Sequence, residues 1–306
     1  MAGSSKKVVF AALAGNLLIF ITKFAAAAIT GSSAMFSEGI HSMVDTGNQV
    51  LLLHGMRQAR KPPDNRFPFG HGKEIYFWSF AVAILVFAVG AGVSTYEGVI
   101  HTFIHPQPVE RPMVNYVVLG FALVFEGVSW FFAFTEFTKT KGKWNYIEAV
   151  HRGKDPTIFV VLFEDSAALL GIVVAFFGVL LSHLTGIDEY DGIASIIIGL
   201  ILGGTAVWLA YETKGLLIGE SANEKVVNGI REIVAAAEGV DHVNEVLTMH
   251  MGPDFILVNI SIDFRDDIPA GDLEVVIARL DRQIKQSFAN VKRVFVEAEA
   301  RRALKS

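Results

Sequence analysis

The chain has 306 residues, 52% of them hydrophobic and 19% charged, with a net charge of −5 and a mean hydropathy of +0.45. That is too apolar for an ordinary soluble domain of this length. Cysteine is absent, which excludes disulfides and thiolate metal sites, and the acidic balance without a dense basic cluster gives no reason to expect a nucleic-acid partner.

Six apolar segments, near 8–29, 34–54, 75–102, 113–136, 157–182 and 191–213, are each long enough to cross about 30 Å of hydrocarbon. Lys6 and Lys7 precede the first, which is too long for a cleaved signal and reads as a transmembrane helix. The second carries Glu38, His41, Asp45 and Asn48, so hydropathy alone marks it down, but Gly31-Ser32-Ser33 and the basic run after Gly55 bound it. Basic residues fix the orientation. Lys6, Lys7, Arg57, Arg60, Lys61, Arg66, Lys73, Lys139, Lys141, Lys143, Arg152 and Lys154 fall on one side. The opposite loops hold Arg111 alone, and the last of them carries Asp188, Glu189 and Asp191. The excess of lysine and arginine predicts cytoplasmic termini.

From Glu220 the pattern shortens. Asn223 can cap a helix to Ala237, alternation marks strands near 243–251 and 255–264, Gly271 or Asp272 opens a helix to Ser287, and Val291 to Glu299 reads as a last strand. The expected fold is therefore an α-helical membrane protein with six transmembrane helices, residues 1–213, plus a C-terminal cytoplasmic α+β domain, residues 214–306, whose αββαβ order suits a ferredoxin-like arrangement. A tail that serves only as a folding cap would read the same.

Ionisable side chains at bilayer depth are costly unless paired or hydrated, which makes them functional candidates. On the second span His41 and Asp45 stand at i, i+4, with Glu38 and Asn48 three residues to either side on the same stripe. On the fifth, Glu164 and Asp165 are adjacent and point about 100° apart. Imidazole, carboxylate and amide together suit a divalent cation, and protons that compete for the same groups give metal/proton antiport a physical basis. In a soluble helix such a His/Asp pair is usually satisfied locally; acids on a second span separate the two cases. Elsewhere the plainer readings hold: Glu97 and His101 as interfacial residues, Lys23 snorkelling from the first span, and Gly199 with Gly203 as a helix-packing pair. Glu126 and Ser129 in the fourth span are further candidates to line a path. A membrane-anchored metal sensor or scaffold and an uncoupled channel compete with a carrier, but an anchor has no need of acids on two helices. No nucleophile with a base, phosphate loop or cofactor fingerprint stands at a catalytic spacing, so an enzyme is not expected.

The run Ser37-Glu38-Gly39-Ile40-His41-Ser42-Met43-Val44-Asp45-Thr46-Gly47-Asn48-Gln49, with Pro62-Pro63-Asp64 and Pro68-Phe69-Gly70-His71-Gly72-Lys73, resembles the cation diffusion facilitator family. That resemblance implies homodimeric metal/proton antiporters that export zinc from the cytoplasm, or in some members manganese, iron or cobalt, with no cofactor beyond the transported metal. It further implies a multi-pass membrane location and an intramembrane site of His41, Asp45 and Asp165; a bacterial inner membrane is the expected compartment, although an organellar membrane reads the same. The family's fourth ligand position is Val161, so Glu164 or Asn48 would stand in, giving a harder site that weakens the preference for zinc over manganese. The string Phe163-Glu164-Asp165-Ser166-Ala167-Ala168 is similar to the branch with mitochondrial zinc-transporter-like members. In the loop after the second helix Asp64 and His71 match ligand positions while Phe67 stands where a histidine is expected. In the tail, Glu297 and Glu299 share a strand face, but Asn244 and Asn259 replace imidazoles, and His242 and His250 are poorly aligned. The tail is thus expected to dimerise without a tight metal cluster.

Overall fold

The structure, a computed structural model, describes residues 2–142 and 144–301. Of the basic residues used for orientation, Lys143 lies outside the described residues, as do the side chains of Lys6, Lys7 and Arg152. The chain divides into two compact units: Met1–Arg57 with Phe77–Lys214, and Gln58–Tyr76 with Gly215–Ser306.

The first unit is helical. It contains α1 (Ala2–Thr30), α2 (Ser33–Ala59), a third long helix built from α3 (Glu74–Leu85) and α4 (Gly92–Val99) with π turns at Val86–Ala91 and Ile100–Ile104, α5 (Pro112–Thr140), α6 (Tyr146–Arg152), α7 (Pro156–Thr185) and α8 (Glu189–Ile218). Among the described residues, four stretches, Glu74–Ile104, Pro112–Lys139, Phe159–Thr185 and Glu189–Ile218, are long and apolar enough to cross a membrane, and Asn16–Thr30 is a shorter apolar stretch within α1. The polar residues of α2 keep its hydropathy below theirs. The short α6 and both π turns had no signature in the apolar pattern, since each changes backbone pitch without changing composition.

Local chemistry sets the helix starts. Pro112 and Pro156 stand in first turns, where a missing N–H costs nothing, and the Asp155 carboxylate accepts the backbone N–H of Thr157 at 3.0 Å. Close packing follows from small residues. A Cβ on Gly199 would meet the Thr95 hydroxyl, the Thr95 nitrogen at 2.9 Å and the Ala91 carbonyl at 3.1 Å, so α8 lies directly against the third long helix. At Gly203 an added Cβ would make only ordinary contact, 3.5 Å from Ala91. Gly199→Val is therefore expected to destabilise the bundle by about 1–3 kcal/mol through overpacking, read as a lower melting temperature of the detergent-solubilised protein, while Gly203→Ala leaves it near native.

The second unit holds α9 (Glu224–Ala235), β1 (Val240–Gly252), β2 (Phe255–Phe264), α10 (Ala270–Ser287) and β3 (Val291–Ala298). The αββαβ order matches the expectation; the sheet is three-stranded in the order β1-β2-β3, antiparallel then parallel. Ile256, Val258, Ile260 and Ile262 alternate onto one face of β2, where they meet Ile230 and Val234 of α9 and Leu280 and Ile284 of α10 in a dry core. Asn223 occupies the position before α9, but its carbonyl, not its side chain, accepts the first helical N–H groups, correcting the expected side-chain cap. The loop 58–76 belongs to this unit. Phe69 meets Phe295 edge-on at 6.4 Å, and the Lys73 ammonium lies 3.6 Å from the Met249 sulfur.

Candidate metal site

The helical period puts Glu38, His41, Asp45 and Asn48 on one stripe of α2, and most of that stripe is inside the bundle. His41 is 1% and Asp45 13% exposed, with His41 Nδ1 3.4 Å from Asp45 Oδ1. That separation fits an ion pair but not an aligned hydrogen bond. Both ring nitrogens of His41, Asp45 Oδ1 and Asn48 Oδ1 are buried with no hydrogen-bond partner. Such orphans are rare in native proteins, and their clustering on one stripe singles out this part of α2.

On α7 the two adjacent acids diverge as their spacing requires. Glu164 turns to α2, where its Oε1 accepts the Asn48 amide N–H at 2.8 Å. Asp165 turns to α5, where its Oδ2 accepts the Ser129 hydroxyl at 2.9 Å. The carboxylates of Glu164, Glu126 and Asp165 all lie within electrostatic reach of Asp45. Three helices thus direct acids toward one region. Among the described residues, however, no three His, Asp or Glu side chains stand close enough to grip one ion, so His41, Asp45 and Asp165 are neighbours rather than a closed ligand set. Ser129 and Glu126 of α5 were legible only as isolated polar residues in an apolar span; their relation to Asp165 and Asp45 depends on the packing of α5 along α7.

Lys23 departs from expectation. It is fully buried rather than snorkelling: its ammonium is 2.9 Å from Glu38 Oε2 and 2.8 Å from the Ser42 hydroxyl. Glu38 Oε1 lies where a Cβ on Gly171 would be, so α7 is small at that point to admit the pair. Glu38, a candidate ligand by spacing, has one oxygen committed to an ammonium.

In the loop, Asp64 and His71 do come together, with Oδ2 and Nε2 3.0 Å apart. Asp64 is also a turn residue, its Oδ1 accepting the N–H groups of Arg66 at 2.8 Å and Phe67 at 2.7 Å. The Phe67 backbone bond, then the His71 hydrogen bond, hold its carboxyl below the usual carboxylate range. Phe67, in place of a third ligand, packs its ring 4.6 Å from that of His71. In the tail, Asn244 donates to the Ser261 hydroxyl at 3.2 Å and the Glu299 carbonyl at 3.1 Å, and Ser261 donates to the Glu299 carboxylate at 2.6 Å. These groups form a polar seam that runs from β1 over β2 to the end of β3.

With this geometry in place, comparison with known proteins decides the family: residues 9–218 match the model of the cation efflux transmembrane domain. The chain belongs to the cation efflux family. Relatives within it include the mitochondrial proton-coupled zinc antiporter SLC30A9 of Xenopus laevis, 35% identical over 288 residues that make up 91% of this chain and 51% of that protein. Metal tolerance protein C4 of Arabidopsis thaliana is 29% identical, covering 85% of this chain and 57% of that one. The manganese efflux system protein MneP of Bacillus subtilis is 22% identical, covering 95% of each. The chain spans about half the length of the zinc antiporters it matches. The match to a transmembrane domain and the four long apolar stretches make the chain a multi-pass membrane protein of a transporter family rather than of an enzyme family.

Proposed function

We propose that this chain exports a divalent metal ion, zinc first among candidates, in exchange for protons by alternating access. The observation that carries the reading is the set of buried, unpartnered donor atoms on α2, His41 Nδ1 and Nε2, Asp45 Oδ1 and Asn48 Oδ1, facing the acids of α7. In this reading His41, Asp45 and Asp165 are the ligands and Glu164 or Asn48 takes the place lost at Val161. The Asn48–Glu164 bond supports that substitution, because it already brings both side chains to the α2–α7 seam. When the cargo leaves, protons on Asp45, Asp165 and His41 spare the bundle bare charges in hydrocarbon, and each later binding event releases them. Rocking helices then present the region to each side in turn.

The same reading takes α1 and α2 as further spans, giving six, with a 1–213 membrane domain, a 214–306 ferredoxin-like domain and both termini in the cytoplasm of a bacterial cell. It also makes the working unit a homodimer. Two relatives support the exchange and the range of metals: one is named a proton-coupled zinc antiporter, the other a manganese efflux system protein. Manganese, iron or cobalt is the second reading, favoured by the oxygen-rich donor set that Val161 leaves.

The test is uptake of zinc, manganese, iron and cobalt into proteoliposomes under an imposed pH gradient, comparing the native chain with Val161→His. Proton-coupled uptake is expected in the native chain. In the variant an added imidazole is expected to raise zinc over manganese preference about tenfold, roughly the 1.4 kcal/mol of a modest added donor. Uptake independent of the pH gradient sinks the exchange.

A further inference from the structure

The start of α2 is fastened by a residue of α8. Asp191, in the first turn of α8, is 2% exposed. Its Oδ1 accepts the Ser32 hydroxyl at 2.7 Å, and its Oδ2 accepts the backbone N–H groups of Ser33 and of Ala34, the latter at 3.2 Å. The first N–H groups of a helix have no partner within it. Here a carboxylate from a distant helix accepts from two of them, with the dipole of α2 in its favour. Ser32 completes the cap by accepting the Met35 N–H at 3.1 Å.

The fastening continues for one more turn. Ser195 donates its hydroxyl proton to the Ser94 carbonyl at 2.8 Å, so in the contact between the Ser37 and Ser195 hydroxyls Ser37 is the donor. Gly199, one turn on, seats α8 against Thr95 and Ala91. The first turns of α2 and α8 are thus tied to each other and, through Ser195 and Gly199, to α4 of the third long helix. The following turns of α2 carry His41, both of whose ring nitrogens lack a hydrogen-bond partner, and Asp45, whose Oδ1 lacks one. The helix is fastened to α8 at its start, whereas these atoms farther along it have no hydrogen-bond partner. It cannot tilt away from α8 at this end without giving up the three bonds to Asp191.

We propose that Asp191 is a positioning residue for transport: it clasps the start of α2 to α8, and release of the clasp admits solution from the non-cytoplasmic side to the turn that carries His41 and Asp45. The assignment rests on the carrier reading and its orientation, but its test requires neither metal nor protons to move. The chain contains no cysteine, so Ile40→Cys provides the only thiol, on a buried residue beside His41. The full chain is placed in oriented vesicles and labelled with a membrane-impermeant maleimide, applied to each face separately.

Asp191→Asn keeps the size of the side chain but replaces one of the two accepting oxygens with an NH2 group. It is expected to label about tenfold faster from the face opposite the termini, which corresponds to about 1.4 kcal/mol lost from the closed arrangement, with no rise from the other face. Ser32→Ala, which removes one of the three bonds to Asp191 together with the cap on the Met35 N–H, is expected to give a rise of about threefold on the same face. It supplies the reading if Asp191→Asn does not elute as a folded protein on gel filtration. An unchanged rate in the folded variant overturns the proposal. An equal rise from both faces overturns it as well, because it reports a loosened bundle. A carrier that proves not to exchange metal for protons leaves this result standing, so the two failures are distinguishable.

Discussion

Asp45→Asn is expected to reduce metal-dependent proton flux in proteoliposomes by at least about 100-fold. Loss of a mere supporting partner of a metal ligand already costs about 10–100-fold in affinity or activity, and here the group itself changes. The substitution keeps the volume of the side chain on a part of α2 that is nearly buried, so the helix and its contacts should survive. It removes the negative charge that would offset a dication, and it removes the oxygen that would take a proton when the cation leaves. Both halves of the exchange therefore fail together. Asp64→Asn serves as the control, since that carboxylate belongs to the turn before Phe67 in the other compact unit, and it is expected to retain flux of the native order. Parallel recording of a metal-sensitive and a pH-sensitive dye separates the outcomes. Proton flux lost with metal flux retained turns Asp45 into a proton carrier only. Both retained at native rates removes Asp45 from the transport site.

What could be read from the sequence and what could not divide along physical lines. The helix-period stripe on α2 and the adjacent acids on α7 follow from local geometry, and the structure places them where that geometry requires, Glu164 toward Asn48 and Asp165 away from it. The alternation in 255–264 gave β2 to the residue, because the apolar face of a strand is specified by its own period of two. Three features escaped. Lys23 sits in an apolar span, where a lone lysine reads as snorkelling; its burial depends on Glu38, fifteen residues on, which spacing had already claimed as a ligand candidate. Asp191 looked like part of an acidic loop because its partners, Ser32 to Ala34, are far away in the chain. Ser129 needed the packing of α5 along α7. Each is a polar contact between helices distant in sequence, and no local period encodes such a contact.

Lys23→Met is expected to destabilise the protein by about 3–5 kcal/mol, the usual cost of removing one partner of a buried ion pair. The cost arises from what remains. Glu38 would be left among α1, α2 and α7 with its nearest counter-charge gone and with Oε1 already lacking a hydrogen-bond partner. Glu38→Gln alone strands the ammonium in the same way, although Ser42 still accepts from it at 2.8 Å, so its loss should be the smaller of the two. The double variant Lys23→Met/Glu38→Gln removes both charges and is expected to recover most of the melting temperature lost by either single change, since a buried pair replaced by neutral groups of similar size is often neutral to stability. Losses that simply add would show that the two charges do not act as a pair. Transport separates the roles further. If Glu38 serves Lys23, the stable double variant carries metal at a rate close to native. If Glu38 is itself a ligand of the cargo, that variant melts normally and transports nothing.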